Sequence, residues 1–281
     1  MRMSRHPLLR AALVHAALVT LVAVFALPLW GMVATALKSE AQVQDVSSLS
    51  RILVPDPVKW DNFAQVFRRS AFPRYFANSL LLVLFNVAGV AVVCPLVAYG
   101  FSRFDWPGRE AVFFLLLSTM MLPPQVTFIP VFLIFRALGW YNTMKPLWFP
   151  FFFGSAFFIF LLRQFFRTLP TDLEDAAHID GCGHFRTFIE IMLPLVKPAL
   201  EAVAVIQFMN SWNDFLGPLI YINDDRFTTL SMGVYYYKLE RQGMWGEMMA
   251  VTLMMTLPAI VVFFCAQKHF VQGITLTGMK E

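Results

Sequence analysis

Charge is the scarcest thing in this chain. Only 14% of its 281 residues are Asp, Glu, Lys or Arg, against about 25% in soluble domains. It cannot clothe an ordinary water-facing surface. Cysteine is nearly absent as well. Cys94, Cys182 and Cys265 stand far apart, without the spacing of a disulfide framework or a zinc site, and they read as reduced packing residues. No Gly-x-x-x-x-Gly-Lys-Ser/Thr run is present, so the chain is not an ATPase of the phosphate-loop kind. No nucleophile stands in an evident relation to a base, so catalytic residues, metal ligands and cofactors are all expected to be none. The alternating periodicity of a membrane β-barrel is missing, as are repeats and low-complexity segments. Nothing points to nucleic acid.

Apolar residues fill the space that charge leaves. They make up 58% of the chain, and the mean hydropathy is +0.62. Six runs, at 12–37, 76–101, 111–135, 146–162, 199–222 and 248–267, approach or exceed the roughly 20 residues that carry a helix across a bilayer. The fourth is the shortest. With no strand pattern, helices are the spanning solution that remains. The expected fold class is all-α: a polytopic transmembrane bundle of six spans.

The first run is preceded by Arg2, Arg5 and Arg10, and Ala34-Thr35-Ala36 imitates a signal-peptidase site. Its apolar length exceeds the roughly 7–15 residues of a signal core, so it reads as a retained anchor. With the N-terminus in the cytosol, the inside segments hold Arg2, Arg5, Arg10, Arg103, Arg109, Arg163, Arg167, Arg186, Lys197, Lys268 and Lys280. That is eleven of the 22 basic residues, and Arg68, Arg69 and Arg74 are among the eleven outside. The arginines before the first span break the tie, because that flank weighs most in the positive-inside rule. Both termini are therefore expected in the cytosol, and the net charge of +4 fits contact with anionic lipid.

Between the spans, residues 38–75 carry Pro55, Pro57, Trp60 and an apolar face at Phe63, Val66 and Phe67, expected against the outer membrane surface. Residues 102–110 are a tight turn on Asp105-Trp106-Pro107-Gly108, and 223–247 are expected as a polar outside loop with Asn223-Asp224-Asp225 and tyrosines at 235–237.

Two features inside the spans could serve a route through the membrane. Leu122-Pro123-Pro124-Gln125 should interrupt the third span, since two prolines remove backbone donors. Freed carbonyls at that depth must face protein or a wet cavity. In the fifth span Gln207, Asn210 and Asp214 recur on one face with Ser211 and Asn213 beside them. A carboxylate there faces a water-filled route or a partner, and plain interhelical hydrogen bonding is the competing reading. Trp212 is either a sugar-stacking ring or an interface anchor. Asn78 and Asn86 read as packing contacts, and His15 as a buried imidazole.

The most telling run lies between the fourth and fifth spans. Thr171 and Glu174 have capping-box spacing, and Gly181 supplies a left-handed helix end. Leu173, Ala176, Ala177 and Asp180 share one helix face, narrowed by its alanines so that another protein's groove can close on it. A second helix places Phe185, Phe188, Ile189 and Met192 on one side, and Pro194 is expected to stop it. This polar hairpin reads as a docking plug.

Asp175-Ala176-Ala177, Gly181 and Ile191-Met192-Leu193-Pro194 resemble the Glu-Ala-Ala…Gly…Ile-x-Leu-Pro signature of permease subunits in ATP-binding-cassette importers. Leu122-Pro123-Pro124-Gln125, Lys197-Pro198-Ala199-Leu200, Trp212-Asn213-Asp214-Phe215, Pro218-Leu219 and the tail Phe270-Val271-Gln272-Gly273 look like the smaller permease of maltose-type carbohydrate importers. The likeness covers about residues 70–280, and it departs from the signature at Asp175, where Glu is usual, and at Cys182, where Ala is usual.

The resemblance implies a type-1 (MetI-like) permease fold with a cytoplasmic coupling-helix hairpin. It implies an N-terminal anchor and extracytoplasmic loop at 1–72, a permease domain at 73–270 and a cytoplasmic tail at 271–281. Coupling to the ATPase falls to Leu173, Glu174, Asp175, Ala176, Ala177, Asp180, Gly181, Ile191, Leu193 and Pro194. The pathway falls to Gln207, Asn210, Ser211, Asn213, Asp214, Pro123 and Pro124. The implied partners are a second, homologous permease subunit, two ABC ATPase subunits, an extracytoplasmic solute-binding protein, a sugar substrate and membrane lipid, in a bacterial or archaeal cytoplasmic membrane. A glycerol-phosphate-type cargo, an ion-gradient-driven transporter using Asp214 and a non-transporting scaffold stay open as alternatives.

Overall fold

The computed structural model describes residues 7–277, with side-chain surroundings for 11–267. Arg2, Arg5 and Lys280 lie outside the described residues, as do the side chains of Arg10, Lys268 and Phe270-Val271-Gln272-Gly273. Among the described residues every regular element is helical. Helix α1 (Pro7–Ala36) precedes the short α2 (Glu40–Gln44), α3 (Leu49–Leu53) and α4 (Asp61–Arg69), and then α5 (Phe72–Arg103). Helices α6 (Arg109–Thr119), α7 (Pro124–Ala137) and α8 (Lys145–Trp148) follow, with a 3-10 turn at Phe149–Phe153 leading to α9 (Ala156–Thr168). The hairpin contains α10 (Asp172–Ile179), α11 (His184–Thr187), a π-helical turn at Phe188–Met192 and α12 (Leu193–Leu195). The chain closes with α13 (Lys197–Trp212), α14 (Leu216–Tyr221), α15 (Leu230–Glu240) and α16 (Trp245–Thr277).

Four stretches, 11–36, 72–103, 145–168 and 245–267, are long and apolar enough to cross a membrane, and the α6–α7 pair makes a fifth if its 97° bend lies within one span. The expected count of six is not met by this measure. The shortfall is the run 199–222, where Asn213-Asp214-Phe215 divides α13 from α14 and neither piece is long enough alone.

The chain divides into two compact units. The first comprises residues 1–72 and 234–257. Residues 11–30 of α1 are exposed throughout, as suits a helix that is apolar all round and made for lipid. His15 is therefore exposed and not buried, with Nδ1 2.7 Å from the Ala11 carbonyl. Beyond α1, polar side chains pin the chain. The buried Lys38 ammonium donates to the carbonyls of Arg51, at 2.9 Å, and Ile52 near the end of α3, a cation placed at a helix C-terminus. Burial holds its pKa below the usual lysine range. Asn62 donates to Ala36 O and Lys38 O, each at 2.8 Å. The expected surface face of α4 splits, because Val66 is fully buried while Phe67 is half-exposed with its edge on Phe72.

The Glu40 carboxylate accepts the Trp245 and Gly246 amides at 3.0 Å each, where the positive end of α16 attracts an anion. Glu247, next along, is buried between the Arg69 guanidinium at 2.9 Å and the Tyr237 hydroxyl. The expected loop at 223–247 is thus largely helix. Within it Leu230, Met232 and Tyr237 are buried, packing surface that a count of polar residues overlooks.

The second unit comprises residues 73–233 and 258–281. Its core joins Val90, Cys94 and Ala98 of α5 to Leu162 and Phe166 of α9, Met192 of the π turn and Val203 of α13. Cys94 is a packing residue as expected, whereas Cys265 is exposed. Two buried arginines lie in this core. Arg163 stacks over the Phe113 ring at 3.9 Å, pairs with Glu110 at 2.6 Å and donates to Phe101 O. Arg103 donates to the Phe166 and Leu169 carbonyls at 2.6 and 2.8 Å.

Candidate functional site

Two features of the second unit fall where sequence reasoning looked for function. In the hairpin, Gly181 takes a φ of +79°, a conformation that costs an L-residue with a Cβ roughly 1–2 kcal/mol. Cys182 donates to Ala177 O at 2.9 Å and Gly181 to His178 O at 3.0 Å, the paired bonds of a Schellman ending. His178 Nδ1 lies 3.0 Å from the Cys182 carbonyl, and its ring meets His184 edge-on at 4.6 Å. The turn is closed by its own backbone and propped by its own side chains.

The start of α10 differs from expectation. Thr171 makes no capping hydrogen bond, and Glu174 turns instead toward Arg103, with the pair 3.6 Å apart and both side chains largely buried. Tyr99 faces the same carboxylate. A buried guanidinium outbids a backbone amide for a carboxylate, so the acid ties the hairpin to α5 and the capping box is not formed. Pro194 also departs from expectation, since the helical path runs on to Leu195 and breaks at Val196. The π turn widens the helix directly before the proline and gives room to a ring that would otherwise crowd the preceding turn.

The exposed faces follow from this packing. Ala177, Phe188 and Met192 are buried, whereas Leu173, Asp175, Ala176, Asp180, Phe185 and Ile189 are exposed, and Ile179 at the tip is 86% exposed. Ile191 and Leu193 are half-buried and pack on the core, and Pro194 is exposed.

The polar face of α13 opens on a cavity of about 330 Å³, within the range of about 300–1,000 Å³ typical of small-molecule sites. Gln207, Asn210, Ser211 and Asp214 line it with Asn86, Ser155, Phe151, Phe157 and Phe158. Asn86 and Gln207 both donate to Ser211 Oγ, at 2.9 and 2.8 Å. Asp214 accepts the Gly217 amide at 3.1 Å and so starts α14. A Cβ at residue 217 would stand 2.5 Å from its other oxygen, so any larger residue there would displace the Asp214 carboxylate. Asn213 lies apart from the cavity and donates to Met209 O at 2.8 Å, closing α13.

Pro123 and Pro124 likewise stand away from the cavity wall, at the 97° bend. Trp212 is neither platform nor anchor. It is 1% exposed, stacked on Phe208 at 5.7 Å and edge-on to Phe76 at 5.6 Å. Asn78 is the packing contact expected, donating to Arg226 O and Thr228 O. In the sequence Arg103 reads only as a charge near a span end, and Asn86 as a packing contact. Nothing local in the sequence joins either to its partner.

Fold and site together define a polytopic helical membrane protein with a hydrogen-bonded polar hairpin between α9 and α13 and a polar cavity beside α13. Residues 91–276 match the family model described as binding-protein-dependent transport system inner membrane component. The chain belongs to this family, the permease subunits of ABC importers, in which the ATPase is a separate partner. It is 32% identical over 254 residues to the arabinooligosaccharides transport system permease protein of Bacillus subtilis, covering 90% of each chain. It is 35% identical over 215 residues to the lactose transport system permease protein of Rhizobium radiobacter, covering 76% of this chain and 78% of the relative.

Its fold matches a chain from the crystal structure of a bacterial ABC transporter involved in the import of the acidic polysaccharide alginate. The TM-score is 0.83 at 23% identity, over 96% of this chain and 99% of that one.

Proposed function

We propose that this chain forms half of the transmembrane route of a carbohydrate importer, with a second permease as the other half, and that its 171–194 hairpin is the part an ATPase subunit grips. The observation that carries the reading is the hairpin itself: closed by its own hydrogen bonds at Gly181, anchored through Glu174 and Arg103, and bare at Ile179 and Phe185. A rigid lever of this kind suits a two-state transport cycle. In this reading both termini and the hairpin face the cytosol, and an extracytoplasmic binding protein delivers cargo on the other side. A related structure, of an alginate transporter in complex with its oligosaccharide-bound periplasmic protein, supports that delivery. Gln207, Asn210, Ser211 and Asp214 line the route, while Asn213, Pro123 and Pro124 shape the helix breaks beside it.

Sugar or oligosaccharide cargo is favoured by the relatives named for arabinooligosaccharides and lactose. A second reading, a glycerol-phosphate cargo, has one observation behind it: 32% identity over 239 residues to the sn-glycerol-3-phosphate transport system permease protein of Pectobacterium atrosepticum. Family membership lends nothing to the ion-gradient-driven alternative. Replacing Gly181 by Val tests the lever. The β-branched side chain resists a φ of +79°, so ATP-driven uptake in vesicles should fall to background while the chain still inserts. Uptake at the normal rate with Gly181→Val would remove the hairpin from the mechanism.

A further inference from the structure

We infer that the turn joining α15 to α16 holds the phosphodiester headgroup of an anionic phospholipid, gripped by Lys238 and Arg241 beside Trp245. The turn lies wholly within the first unit, and Trp245 opens the stretch 245–267 that is long and apolar enough to cross a membrane. It therefore sits at a membrane boundary whichever way the chain faces. Its backbone is fixed. The Arg241 amide donates to Tyr237 O at 3.0 Å, the Met244 amide to Arg241 O at 3.1 Å, and Gly243 turns the chain with a φ of +86°. The turn bounds a cavity of about 280 Å³ whose wall includes Lys238, Leu239, Arg241, Gln242, Trp245 and Met248.

Ion pairing singles this cavity out. Arg51, Arg68, Arg69, Arg74 and Arg226 each meet an acid, and the Lys38 ammonium donates to two carbonyls. Among the described residues Lys238 and Arg241 make no ion pair, and the cavity wall holds no acid. Glu247 is held by Arg69 and Tyr237, and Glu40 by the first amides of α16. Glu240, exposed at the end of α15, is not part of the wall.

A phosphodiester fits what is left. The guanidinium fork takes two phosphate oxygens and the ammonium adds a point charge, while the Gln242 amide can meet a glycerol hydroxyl. Leu239 and Trp245 are 49% and 51% exposed, apolar surface on which the glycerol backbone and the first acyl methylenes can lie. Tryptophan favours headgroup depth, and basic pockets at span ends take phospholipid headgroups. A soluble anion would leave the apolar half of the site bare.

The test uses the assembled transporter, reconstituted in phosphatidylcholine nanodiscs with a minor share of phosphatidylglycerol and then released into mild detergent. Native mass spectrometry reads the lipid that each complex keeps. The double variant Lys238→Gln, Arg241→Gln should retain at least about fivefold less phosphatidylglycerol and the same phosphatidylcholine. The charge-keeping pair Lys238→Arg, Arg241→Lys should recover most of the loss, and excess glycerol 3-phosphate should displace no lipid.

Unchanged phosphatidylglycerol in the glutamine variant would overturn the inference. Displacement by glycerol 3-phosphate would overturn it too, by making the site one for a soluble phosphate. A variant that kept its lipid but no longer bound an extracytoplasmic binding protein would make the patch a protein-docking surface instead. Lys238→Gln alone, at an exposed position, serves if the double variant fails to assemble, and unchanged lipid there would count equally against the site. A failure here leaves the hairpin and the route standing.

Discussion

Arg103 has two jobs that together explain its burial. Its guanidinium satisfies the last carbonyls of α9 at Phe166 and Leu169 and also faces Glu174 of the hairpin. The pairing is one of charge at 3.6 Å, since Arg103 Nε and Glu174 Oε1 are buried without hydrogen bonds of their own, and a charge that deep needs its counter-ion. Arg103→Ala leaves Glu174 buried without its cation and two carbonyls without a donor, a loss of about 3–5 kcal/mol. The expected outcome is a lower thermal midpoint for the purified subunit complex and weakened coupling of ATP hydrolysis to uptake. Arg103→Lys should recover only part of both, since an ammonium lacks the fork that reaches three acceptors. If Arg103→Ala left stability and coupling intact, the tie between hairpin and α5 would have no energetic content.

Helix breaks decide what each element can do. Pro194 looks like a stop in sequence, yet the path continues through Leu195 after a π turn. The break between α13 and α14 is tested by Gly217→Ala. The added Cβ meets the Asp214 carboxylate at 2.5 Å, and overpacking of this kind costs about 1–3 kcal/mol. Gly217→Ala should lower thermal stability by that amount and reduce uptake, and a normal thermal midpoint with normal uptake would show that Asp214 need not hold its place over α14.

The left-handed end at Gly181 and the bend at Pro123-Pro124 were legible in the sequence because their causes are local: a missing Cβ and missing amide hydrogens. Glu174 was misread for the opposite reason. Its neighbours in sequence suggest a cap, while its partner lies on α5, and no pattern of spacing reports that pairing. Likewise α15 hides among polar residues, with Leu230 and Met232 buried on opposite sides of its first turn and Tyr237 buried two turns on.

At the scale of the molecule, the apolar runs set the class of protein through their length alone, and four of the spans follow from it directly. The run at 199–222 does not follow, because its caps, Asn213 and Asp214, turn one apolar stretch into two helices. The cavity was half legible. The polar stripe on α13 announced one wall, while Asn86 and Ser155 come from elsewhere in the chain and needed the fold to bring them in.

Ile179 and Phe185 are left exposed on a polar hairpin, and large apolar side chains bare in such a setting mark a place where another protein binds. The central claim is that an ATPase subunit takes this tip. The direct measurement is a disulfide crosslink from Ile179→Cys, in a background lacking Cys94, Cys182 and Cys265, to cysteines placed around the cleft of the co-purified ATPase. The account expects crosslinks to the ATPase whose yield changes between nucleotide-free and ATP-bound states. A residue 179 that crosslinks only within its own chain, or that reacts with impermeant reagents from the extracytoplasmic side, would contradict it.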